Sequence, residues 1–308
     1  MENTIPIENC VTQKYENGQL LLLRPIDNKF YPVIDVEKEI KQMSDSYIRT
    51  PENIAFAKAF RERRLASSSG LTRGDVGFGT IYQTSFRNNF TYGTGIYHAI
   101  LFPTTPGSSV TNWLYLTSTN RTYLGCEAFI AYYGNNNPSF MVWDWGVPYP
   151  GTTYPPSSAI VQLTYSNFAS YRHSITVNGT SWTCVEVLNR TYEYNTASNT
   201  WENVVYLFSP STNAFSLIHS SHYAANLTLQ KTATRGFWGP IIETFQPSFT
   251  TTTNTMGFAS TNLEVRDASD NWSSTGLLST SQSTTRNDGV GFSMQFITAN
   301  HTWGARVP

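Results

Sequence analysis

The chain has 308 residues, 20 basic and 21 acidic side chains and a net charge of −1. It is long enough to bury a substantial core, and nothing in its balance suggests a basic nucleic-acid surface. No apolar run approaches the roughly 18 residues of a membrane span, so neither nucleic acid nor membrane is an expected partner. The first residues, MENTIPIENC, lack the basic and apolar regions of a signal peptide, although few charges among many hydroxyls and amides is a look common to secreted or surface β-proteins.

The charge is unevenly placed. Residues 1–75 hold 11 basic and 11 acidic side chains, and the other 233 positions hold 9 and 10. The break sets a boundary near residue 70, with a charged N-terminal segment over 1–70 and a β-domain over 71–308. In chain order, QLLLLRPI and KFYPVIDV read as short strands, followed by a charged stretch. TPENIAFAKAFRERRLASSSG then carries a helix signature: Thr50 as cap, Pro51 in the first turn, Glu52 at the positive end and arginines at the negative end. Arg61-Glu62-Arg63-Arg64 fits both a charged helix end and a dibasic cleavage site, which would make residues 1–64 a propeptide. Arg73-Gly74-Asp75 is an integrin-type tripeptide of the kind that chance supplies.

Beyond residue 76, twelve strand candidates follow at the spacing of an all-β sandwich or barrel. They are GIYHAILFP, NWLYLT, YLGCEAFIAYYG, SFMVWDWG, AIVQLTY, YRHSITVN, SWTCVEVLNRTYEY, NVVYLFS, AFSLIHS, IIETFQ, GFASTNLEVRD and VGFSMQFIT. The loops PYPGTTYPPSS (148–158) and SSTGLLSTSQSTTRNDG (273–289) read as exposed connections. The pattern predicts an all-β fold of two packed antiparallel sheets. Cys126 and Cys184 are expected in strands, either as buried thiols or as one bridge.

Strand alternation places one acid among large apolar residues on each of four strands: Glu127 with Phe129, Asp144 with Phe140 and Val142, Glu186 with Trp182 and Leu188, and Glu243 with Ile241 and Phe245. An ionised carboxylate in such company must be paired or hydrogen-bonded, or its pKa rises. Raised carboxyl pKa values serve acid/base chemistry, and two such groups about 5 Å apart would suit a retaining glycosidase. The bland alternative is hydrogen bonding to Tyr, Trp and backbone donors. The histidines are scattered, and His219-x-x-His222 lacks the helix of a zinc motif, so no metal or other cofactor is expected.

The series IYHAILFP, NWLYL, CEAFIAYYG, FMVWDW, ITVNGTSWTCVEVLNRT, WGPIIETFQ and GFASTNLEV resembles the strand series of concanavalin-A-like (jelly-roll) sandwiches, and within them the glutamic peptidases of the eqolisin and neprosin type. That resemblance implies two antiparallel sheets and a carboxylate pair on a concave face. It puts Glu127 near the first catalytic position. WGPIIETF resembles the eqolisin stretch AEWIVEDF, with Glu243 meeting its second glutamate and Gly239 at the catalytic one. Two readings follow. The first is a lectin-like sandwich binding a carbohydrate or polypeptide polymer, with Trp143, Trp145, Asp144, Trp238 and Glu186 as ligand contacts. The second is an acid-dependent hydrolase using Glu127 and Glu243.

Overall fold

The computed structural model describes residues 10–48, 77–81, 93–102, 113–119, 126–132, 138–144, 161–177, 180–195, 197–198, 200–224, 239–245, 256–274, 283–287, 293–298 and 302–307. The junction near residue 70, the segment 50–70 with its arginines, Arg73–Asp75, Trp145 and Trp238 lie outside the described residues.

The described residues are dominated by strands, so the fold is all-β. The N-terminal strands are β1 (Gln13–Glu16), β2 (Gln19–Arg24) and β3 (Lys29–Asp35), and they are followed by helix α1 (Glu37–Ile48). Then come β4 (Gly77–Ile81), β5 (Gly93–Phe102), β6 (Trp113–Thr119), β7 (Cys126–Tyr132), β8 (Ser139–Asp144) and β9 (Val161–Leu163). A single 3-10 turn (Ala169–Tyr171) leads into β10 (Arg172–Val177), β11 (Thr180–Asn195), β12 (Thr200–Ser209) and β13 (Ala214–Ala224). The last are β14 (Gly239–Phe245), β15 (Met256–Arg266), β16 (Trp272–Ser274), β17 (Ser283–Asn287), β18 (Ser293–Thr298) and β19 (Thr302–Val307). All twelve strands expected from the alternation are present. Five strands were not expected: β1, the first arm of the N-terminal hairpin, and β4, β16, β17 and β19, which lie in Ser/Thr- or Gly-containing sequence.

The strands form a large mixed sheet in the order β1-β2-β3-β13-β12-β11-β5-β15-β19-β18, with β10 on β11 and β16 on β15. A second sheet runs β14-β6-β7-β8-β9, and β17 pairs β4. Only the β3–β13 pairing is parallel among the strand ladders described. The core lies where the two larger sheets meet. Phe102 of β5 and Phe140 of β8 both pack on Phe168, with ring centroids 6.3 Å apart in each case. By register, Ile96, His98 and Ile100 share a face with Val185 and Val187, and all five are buried.

The opposite face of β5, β11 and β12 is covered by the N-terminal hairpin. Its tight turn is Asn17-Gly18, both at positive φ (50° and 78°), the conformation that a two-residue hairpin demands and that Asn-Gly supplies with least strain. Leu22 of β2 is fully buried against Tyr97, Leu188, Tyr206 and Phe208. At the far end Thr12 N donates to Trp272 O (2.9 Å) and Ser274 N to Cys10 O (2.8 Å). Residues 10–35 therefore span the large sheet from β13 to β16. Helix α1 follows. Its first turn holds Glu37 and Glu39, which suit the positive end of the helix dipole, and Asp35 Oδ1 accepts from Glu37 N (3.0 Å). Its buried Ser44 accepts from Gln162 N (2.9 Å). No described helix is long and apolar enough to cross a membrane.

Two glycines of β5 let side chains from the neighbouring strands close over it. A Cβ at Gly95 would stand 3.0 Å from Arg190 Cγ and from Glu264 Oε2, and one at Gly93 would stand 2.6 Å from Tyr192 Cβ. Because Tyr192 Cβ is fixed to the backbone, Gly93→Ala is expected to destabilise the protein by about 1–3 kcal/mol through overpacking, read as a lowered denaturation midpoint.

Candidate functional site

Strands β11, β12 and β13 carry polar groups on both faces at one end, and the two sets differ in character. Toward the five-stranded sheet point Asn189, Thr191, Asn203, His219 and Ser221, where they meet Cys126 of β7 and Asp144 of β8. Cys126 and Asp144 are direct cross-strand partners, and both are fully buried. Asp144 is held from three sides: Asn203 Nδ2 donates to Oδ1 (2.8 Å), His219 Nε2 lies 2.7 Å from Oδ2, and Ser221 Oγ donates to the same oxygen. Thr191 Oγ1 in turn donates to Asn203 Oδ1 (2.7 Å), and Asn189 Nδ2 donates to the Cys126 carbonyl. One donor atom each from Cys126, Asp144 and His219 lies within 4.8 Å of the others. Burial, and then the charges of Asp144 and Glu127, push the Cys126 thiol well above its ordinary pKa.

On the other face, Tyr192, Glu202 and His222 stand side by side across β11, β12 and β13. The Tyr192 hydroxyl donates to Glu202 Oε2, and His222 Nε2 is 3.5 Å from Glu202 Oε1. Tyr194 is 56% exposed, and its ring stacks on His222 with centroids 4.2 Å apart and planes tilted by 39°. The Arg266 guanidinium lies 4.9 Å from the centre of the Tyr192 ring. This is an open aromatic–imidazole platform with a carboxylate at its floor.

Further along the hairpin-covered face are two buried ion pairs. Arg24 of β2 grips Glu186 through Nε (2.8 Å) and Nη2 (2.6 Å). His173 Nε2 lies 2.8 Å from Glu186 Oε1, and the Tyr97 hydroxyl donates to Oε2. Burial pushes the Glu186 carboxyl up, but the bonds from Arg24 and His173 outweigh it and hold the group below its ordinary value. Arg190 Nε bonds Glu264 Oε2 (2.8 Å), with Gln13 of β1 accepting from Nη1 (2.6 Å). There burial outweighs the arginine, and Glu264 is raised. The two acids act with opposite sign on stability. The Glu186 contribution is present above the unfolded pKa of about 4.3 and is lost as pH falls through its lower folded value, whereas protonation relieves a cost at Glu264. Glu186→Gln is therefore expected to flatten the acid limb of the stability–pH curve below about pH 4.3, as urea melts taken across that limb would measure.

The residues singled out from the sequence do not converge. Glu127 is 5% exposed, and Trp143, its cross-strand partner, is fully buried. Asp144 belongs to the cluster between the sheets and Glu186 to the opposite face of the large sheet. Glu127 and Glu243 have the same parity in the pleat, but β6 stands between their strands. Glu127 is level with Thr119, and Glu243 with Tyr115. Two strand spacings and four residues put their Cα atoms about 17 Å apart. Cys126 and Cys184 are free thiols, not a bridge.

Alternation alone assigns Asp144 to the face of Phe140 and Val142. Its bond to His219 spans 75 positions and needed the sheet register. His219 and His222, an odd number of residues apart, project to opposite faces. Compared with known protein families and with characterised proteins, the sequence matches none.

Proposed function

We propose that the protein is a two-sheet, concanavalin-A-like β-sandwich that binds a carbohydrate polymer without cleaving it. The observation that carries this reading is the Tyr194–His222 stack above Glu202. An exposed ring gives the C–H face of a sugar a surface to stack on, and a neighbouring imidazole and carboxylate pair with its hydroxyls. The contacts of β11 and β12 with β7 and of β5 with β6, and the packing of Phe102 and Phe140 on Phe168, support the sandwich. The hydrolase alternative has less to rest on. Carboxyl groups that share a glycosidic bond sit about 5–9.5 Å apart, and positions 127 and 243 are separated by two strand spacings and four residues along the strand.

The test is a panel of soluble polysaccharides and unfolded polypeptides assayed for retardation of the protein. Retention by at least one polysaccharide is expected, and Tyr194→Ala is expected to weaken it about tenfold, the loss of one aromatic stacking contact. Equal retention of wild type and Tyr194→Ala would remove the platform from the account. Retention by polypeptides alone would replace the ligand class.

A further inference from the structure

The cluster between the sheets is not used by the binding surface, and its donor set is distinctive. We propose that Cys126 Sγ, Asp144 Oδ2 and His219 Nε2 form a binding site for one zinc-class divalent cation that clamps the two sheets together.

The chemistry of the set points to such a metal. One thiolate, one imidazole and one carboxylate are the sulfur, nitrogen and oxygen donors that zinc takes, whereas calcium and magnesium take oxygen alone. The charges also balance. A thiolate and a carboxylate with a neutral imidazole carry two negative charges, which a divalent cation cancels in a place where Cys126 and Asp144 have no contact with water. Binding releases the thiol proton to solvent as the sulfur–metal bond forms.

The geometry needs little adjustment. Bonds of about 2.0–2.3 Å at tetrahedral angles place ligand atoms about 3.3–3.6 Å from one another. The three donors already lie within 4.8 Å, and His219 Nε2 and Asp144 Oδ2, now 2.7 Å apart, would separate by less than about 1 Å. The ligands come from β7, β8 and β13, so the ion would join the two sheets directly. A surrounding layer holds the ligands in place: Asn203 fixes Asp144 through Oδ1 and is itself held by Thr191, and Asn189 anchors the Cys126 backbone. Such outer hydrogen bonds orient ligands and are part of working metal sites.

The experiment is a titration of the chelator-stripped full-length protein with cobalt(II), followed by absorption, with circular dichroism to report folding. A thiolate-to-cobalt charge-transfer band is expected to saturate at one ion per chain and to disappear on adding zinc, and zinc is expected to raise the melting temperature of the stripped protein. The double variant Cys10→Ser/Cys184→Ala, in which Cys126 is the one thiol left, is expected to keep the band, and Cys126→Ser to lose it. Unfolding on stripping that zinc reverses would equally support the site. The proposal is overturned if folded wild-type protein gives no such band, or if the band survives in Cys126→Ser.

Discussion

Replacing Arg24 by methionine is expected to destabilise the protein by about 3–5 kcal/mol, because it leaves Glu186 as an unpaired charge inside the structure. Glu186 has no exposed surface, so water cannot take over from the guanidinium. The remaining contacts, from Tyr97 and His173, do not supply the permanent positive charge that arginine does. The double variant Arg24→Met/Glu186→Leu removes both charges and is expected to be far closer to wild type. The difference between the single and double changes, measured by urea denaturation, isolates the coupling. A single change costing less than about 1 kcal/mol would mean that Glu186 is neutral in the fold or reached by solvent. The same experiment asks whether residues 10–35 are integral to the domain, since Arg24 arrives on β2 and Gln13, the partner of Arg190, on β1.

The second large effect is acid sensitivity through His98. This side chain is fully buried between the sheets, and burial lowers its pKa to about 3, against about 6.5 in an unfolded chain. Below pH 6.5 the unfolded state takes up a proton that the folded state does not, so stability falls by about 1.4 kcal/mol for each pH unit until the folded value is reached. Acidification from pH 6.5 to 5 is therefore expected to remove about 2 kcal/mol through this residue alone. In His98→Leu the slope over that range should drop by the same amount. An unchanged slope would show that His98 titrates normally in the folded protein.

Legibility of the sequence followed the strength of the local signal. SWTCVEVLNRTYEY and NVVYLFS are dense in β-branched and aromatic residues, and they became the long central strands β11 and β12. STTRN, by contrast, has no apolar alternation, and its pairing with β4 could not be read from residue type. Helix α1 was missed for a related reason. EKEIKQMSDSYI offers only a sparse apolar stripe, and its position is set by tertiary contacts such as that of Ser44 with β9. The acids show the same limit more sharply. Alternation put Asp144 and Glu186 each on an apolar face, and their burial bears this out. What pairs with them comes from far along the chain: His219 in one case and Arg24, 162 positions away, in the other. Long-range partners of this kind depend on sheet order, which no local pattern encodes. The exposed Tyr194–His222 pair was missed because it joins β11 to β13 across β12, a juxtaposition that exists only once the register is known.

Binding without cleavage leaves the ligand intact, so its fate separates a binding protein from a hydrolase. A retained polysaccharide would be incubated with wild-type protein from pH 3 to 8 and its chain-length distribution measured before and after. An unchanged distribution is expected at every pH, with binding that Tyr194→Ala weakens. Shortening of the chains that Glu127→Gln abolishes would contradict it and restore the hydrolase.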